Sequence, residues 1–166
     1  IDSGATRNPS GTSVCGTAPD LDWEAYLRAI DGEVAPDFFS WHWYGMFQIG
    51  ETTPHDVLTT RLKWFEDRVY VTTKIADGRP NYIEEINLNG DLAVDPLLDA
   101  PMNGAFLTSA TFRAVHQGAS GLLVYKGTRD PSGLSPRGEP DFGLWSSSLT
   151  DEPGPVFQAL QLVRRF

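Results

Sequence analysis

Residues 81–126 decide the fold: NYIEEIN (81–87), then NGAFLTSATFRAVHQ (103–117) closed by Gly118, then GLLVYK (121–126). The first run follows the breaker Asp77-Gly78-Arg79-Pro80 and reads as a strand. The second gathers Phe106, Leu107, Ala110 and Ala114 on one helical face and stops at a glycine, the usual end of a helix. The third is apolar without alternation, the pattern of a parallel strand covered on both faces. Strand, helix and strand at this spacing make a βαβ unit, whose two strands run parallel.

The same alternation extends outward. Upstream, DFFSWHWY (37–44) lies between Pro36 and Gly45 and reads as a short, aromatic strand. Pro54 opens a helix with Leu58, Leu62, Phe65 and Val69 on one face, although the β-branched run Val69–Thr73 leaves its end open. Asp20–Ile30 is a further helix, capped by Asp20 or Asp22. Downstream, a polar loop rich in Pro and Gly covers Gly127–Asp141 and precedes Phe142-Gly143-Leu144-Trp145. A last helix runs from Pro155 to about Arg165 with Val156, Leu160 and Val163 on one side. No internal repeat is visible. The expected class is α/β with a parallel sheet.

Composition narrows the function classes. The 166 residues are 40% hydrophobic, 21% charged and 11% aromatic, values of a globular domain. Thirteen basic against 22 acidic residues give a net charge of −9, which repels phosphate backbones, so no nucleic-acid partner is expected. No apolar run reaches the roughly 20 residues of a membrane span, and Ile1–Cys15 is rich in Gly, Ser and Thr instead of resembling a signal peptide. No membrane partner is expected either. A lone Cys15, read as lying in a loop, cannot form an internal disulfide, and with three histidines no Cys/His metal site assembles. Phosphate-loop, dinucleotide, zinc-helix and serine-elbow motifs are absent, and neither metal nor cofactor is expected.

Catalytic side chains of parallel α/β proteins collect at the C-terminal ends of strands. In SWHWY (40–44), period two places Ser40, His42 and Tyr44 on one face and Phe39, Trp41 and Trp43 on the other. A polar His42/Tyr44 pair beside wide apolar rings is the equipment of a sugar-binding cleft, whereas Trp41 is read as packing. Glu84-Glu85 lies within an otherwise apolar strand, where a carboxylate needs partners. Adjacent strand residues face opposite ways, so one of the two is expected in the cleft and the other in solvent or in an ion pair. Tyr125 and Lys126 are cleft residues or members of a solvated loop with Arg129 and Asp130. His55 and His116 are read as exposed helix residues.

Taken in order, 37–44, Tyr82 to Asn87, 121–130 and 142–145 leading into 155–160 resemble the second half of clan A glycoside hydrolases, nearest to the β-xylosidase and α-iduronidase-like family 39. In that family the sixth barrel strand reads D-F-x-S-x-H-x-Y, and the seventh ends in I-T-E-x-N, whose Glu is the nucleophile. The resemblance lays Glu85 on that Glu, with Glu84 in place of the usual Thr, and implies a retaining glycosidase. It puts His42, Trp43, Tyr44, Asn87, Tyr125, Lys126 and Trp145 at substrate-lining positions, with a plant or microbial carbohydrate as partner. Lys126 stands where relatives tend to carry Trp. The family's Asn-Glu acid/base pair of the fourth strand has no counterpart here.

The implied architecture is therefore the C-terminal half, about strands five to eight, of a (β/α)8 TIM barrel, with residues 1–166 forming part of one catalytic domain. A whole barrel takes about 250 residues. The expectation is that the N-terminal half is absent and that the chain folds stably only against that half or a second copy, alone being inactive. Two other readings remain at this point: a carbohydrate-binding or regulatory module that kept the cleft without the chemistry, and an endo-β-glucanase of the same clan, suggested by His42-Trp43-Tyr44-Gly45.

Overall fold

The computed structural model describes residues 5–7, 13–15, 22–46, 53–89, 101–125, 157 and 159–161. Strands β1 (Ala5–Arg7) and β2 (Ser13–Cys15) pair antiparallel. Cys15 therefore belongs to a strand, not a loop. Helix α1 (Trp23–Val34) follows, with Asp22 as its cap: the Asp22 carboxylate accepts from the Ala25 amide at 3.0 Å. Strand β3 (Phe39–Met46) leads to α2 (Pro54–Asp56), a π-helical stretch (Val57–Arg61) and α3 (Leu62–Ala76). Then come β4 (Asn81–Asn89), α4 (Pro101–His116) and β5 (Gly121–Val124). Residues 157 and 159–161 are helical, within the range expected for the last helix.

β3, β4 and β5 form one parallel sheet in chain order, with β4 central. Parallel neighbours need a crossover, and α2 to α3 and then α4 supply it. Strands that step sideways in one direction without reversing describe a singly wound sheet, as in a barrel wall, and not the switch point of a doubly wound one.

The core lies between this sheet and the helices. Trp41 and Trp43 are fully buried against Phe65 of α3, and Trp41 also stacks obliquely on Trp23 of α1. Asn81 ties the layers together at the start of β4. Its side chain accepts from Trp41 Nε1 at 2.9 Å and donates to Thr73 Oγ1 at 3.1 Å. The β-branched run Val69–Thr73 stays helical to Ala76 because Val69 and Thr72 are buried in this layer, so packing overrides local propensity. The π-helical stretch was not anticipated. There the Leu62 amide reaches the Val57 carbonyl, five residues back, and Val57 is fully buried.

Burial in β4 does not keep strict period two. Asn81, Ile83, Ile86 and Leu88 are all buried, and the odd step from Ile83 to Ile86 requires an extra residue. The pairing shows it: Trp41 faces Ile83 and His42 faces Glu85, leaving Glu84 unmatched as a β-bulge. The β5 side repeats the offset, Ile83 facing Leu122 and Ile86 facing Val124. β5 itself corrects one expectation. Leu123 is 61% exposed while Leu122 and Val124 pack against the core, so this strand is covered on one face only.

Candidate active site

The face of the sheet turned away from the helices carries polar groups toward the C-terminal ends of its strands. From β3 come His42 and Tyr44; from β4 come Glu85 and Asn87. Alternation in β3 turns Trp41 and Trp43 to the helices and His42 and Tyr44 away from them, as the spacing predicted. In β4 the bulge resets the alternation, so Glu85 stands opposite His42 and Asn87 opposite Tyr44.

Glu85 is the centre of this group. One carboxylate oxygen lies 2.7 Å from His42 Nδ1, and the other accepts from the Tyr44 hydroxyl in a short hydrogen bond. Only 25% of the His42 side chain and 21% of the Glu85 side chain remain exposed. Burial alone pushes the Glu85 carboxyl upward; the bonds from His42 and Tyr44, with the charge attraction of His42, outweigh it and hold the group below the ordinary carboxylate range. The site thus keeps a half-buried carboxylate ionised and aims it with two donors from the adjacent strand. Glu84, by contrast, is exposed.

Asn87 shares the face but is buried. Its amide nitrogen donates to the Tyr125 carbonyl at 2.5 Å, and its oxygen accepts from the Leu88 amide at 2.7 Å. These bonds join the ends of β4 and β5. Tyr125, 38% exposed, follows β5 at the same end of the sheet, its amide bonded to Ile86 O. Trp43 departs from expectation: fully buried against Phe65, with the Arg68 guanidinium 5.5 Å from its ring, it offers no surface to a substrate. Lys126, Trp145 and the 127–141 loop lie outside the described residues. His55 and His116 are exposed, as read from the sequence. Among the described residues, no cluster of three or more His, Cys, Asp or Glu could hold a metal ion, and no helix is long and apolar enough to cross a membrane.

No protein-family profile matches the sequence, and a search of curated proteins finds no match. Solved structures do match. An endo-1,4-β-D-mannanase from Thermotoga petrophila aligns over 88% of this chain and 37% of its own, with a TM-score of 0.53 and 19% identity. A 4-O-α-L-rhamnosyl-β-D-glucuronidase from Fusarium oxysporum aligns over 87% of this chain and 30% of its own, with a TM-score of 0.58 and 13% identity. An exo-β-1,4-mannosidase from an Opitutaceae bacterium aligns over 78% of this chain and 23% of its own, with a TM-score of 0.52 and 17% identity. These are TIM-barrel glycosidases, and the likeness is one of fold: the parallel sheet and its helices correspond to part of such a barrel. The chain spans between about a quarter and just over a third of the lengths of these proteins. The comparisons do not extend to family 39.

Proposed function

We propose that this chain is the catalytic-nucleophile half of a retaining glycoside hydrolase, acting on O-glycosidic bonds of a plant or microbial oligo- or polysaccharide. The observation that carries the reading is Glu85, ionised on the face of a parallel sheet turned away from the helices, with His42 on one oxygen and Tyr44 on the other. The sequence pattern around it, Ile83-Glu84-Glu85-Ile86-Asn87 after Ser40-Trp41-His42-Trp43-Tyr44, favours a family-39-like arrangement. The barrel fold shared with three glycosidases supports it.

In a retaining mechanism two carboxyl groups stand about 5 Å apart. Glu85 attacks the anomeric carbon as the glycosidic C–O bond breaks, and the departing oxygen takes its proton from a second carboxylic acid. That acid, now a carboxylate, then deprotonates a water molecule that releases the sugar from Glu85. The second carboxyl belongs to strands outside this chain, on the N-terminal half of the same barrel or a partner chain. His42 and Tyr44 keep Glu85 anionic and oriented before attack, and Tyr125 lines the cleft at the end of β5. An endo-acting β-glucanase of the same clan fits the same residues and differs only in an open groove.

The test is made on the intact protein with activated aryl β-mannosides, β-xylosides and β-glucosides. Glu85→Gln should lower kcat by about 1,000-fold or more, the scale of losing a covalent nucleophile. Unchanged turnover sinks the assignment and leaves the binding-module reading, for which Glu85→Gln would alter affinity for oligosaccharides alone.

A further inference from the structure

The central strand carries one residue more than either neighbour matches. Against β3 that residue is Glu84; against β5 the same excess falls between Ile83 and Ile86. The core does not require it. With one glutamate removed, the strand would read Asn81, Tyr82, Ile83, Glu, Ile86, Asn87, Leu88, an unbroken alternation that keeps Asn81, Ile83, Ile86 and Leu88 beneath the helices. A bulge in a strand paired on both edges disturbs two ladders, and nothing in the burial pattern offsets that cost. The exposed Glu84 side chain makes no hydrogen bond or ion pair among the described residues.

What accompanies the bulge is the aim of the next residue. Glu85 reaches His42, directly opposite it, with one oxygen and Tyr44, two residues farther along β3, with the other. Bulges bend the strand and raise its twist, and so re-aim the side chains beside them. We propose that the extra residue at position 84 is a positioning residue: its backbone, not its carboxylate, turns Glu85 so that His42 and Tyr44 each hold one of its oxygens. This rests on the reading of Glu85 as nucleophile but is read out separately from it.

Deleting Glu84 from the intact protein leaves a regular strand whose single glutamate still stands opposite His42, so only its aim changes. The deletion variant should unfold cooperatively. It should lose the downfield Nδ1–H resonance that marks the His42–Glu85 hydrogen bond in proton NMR, and show kcat on aryl glycosides about 100-fold lower with KM within about threefold, the size of a misplacement near 1 Å. Glu84→Gln keeps the residue and changes only its side chain, and should restore both the resonance and the rate. A folded deletion variant that retains the resonance overturns the proposal. Failure of the deletion variant to fold also overturns it, because the bulge would then be a requirement of the sheet. The NMR signal does not depend on turnover, so an active Glu85→Gln protein would refute the nucleophile while the resonance still decides the positioning role.

Discussion

Glu85 is poised between burial, which favours the neutral acid, and two donors from β3, which favour the anion. Tyr44→Phe removes one donor and leaves the ring. The carboxyl should then rise from its depressed position, moving the acidic limb of the kcat/KM profile on an aryl glycoside to higher pH; a limb that stays in place would show that Tyr44 does not act on Glu85. Because the folded carboxyl sits below its unfolded value, Glu85 contributes stability that is present above the unfolded value and lost as pH falls through the folded one. Urea midpoints measured down through the acid range should fall more steeply in the parent than in Glu85→Gln. At this scale the sequence was largely legible: period two in β3 placed His42 and Tyr44 together and turned Trp41 away. It did not say which of Glu84 and Glu85 faces them, since that depends on a pairing offset no local signal records. Nor did it show that Trp43, on the helix side, and Asn87, on the opposite face, are both buried.

At the scale of elements, Gly45 of β3 packs against Leu88 of β4 and Phe106 of α4. A Cβ added there would lie 2.9 Å from the Leu88 carbonyl oxygen and 2.9 Å from the Phe106 ring, contacts that β-sheet backbone and a fully buried ring cannot relieve cheaply. Gly45→Ala should cost about 1–3 kcal/mol in chemical denaturation, as overpacking does. An unchanged midpoint would mean the strand end yields. Most elements were readable because their apolar spacing matches one period: 3.6 in α1, α3 and α4, and 2 in β3. The failures have physical causes. The β-branched run Val69–Thr73 left the helix end open but is held helical by burial, and the π-helical stretch Val57–Arg61 has no local sequence signal of its own. β5 looked covered on both faces because an apolar run has the same composition whether its second face is covered or bare.

For the molecule as a whole, the face of the sheet turned away from the helices is the governing feature: Ser40, Tyr44 and Asn87 are buried on it, but it is not closed throughout. Leu123 and Tyr82 are exposed on it, and Phe38 meets the Tyr82 ring edge-on at 6.2 Å. A barrel would enclose these side chains. The 166-residue chain by itself should therefore self-associate in sedimentation velocity or unfold without a sharp transition, and a monomer with a cooperative transition would argue against the half-barrel reading. What the sequence determined by itself is the alternation of strands and helices and the buried face of each, because apolar periodicity is written into local spacing. The tertiary structure alone decided that β4 carries an extra residue, that Glu85 and not Glu84 meets His42 and Tyr44, and that Trp43 and Asn87 are enclosed. Those outcomes depend on how strands register against one another, and register is a property of pairs of segments, not of any one of them.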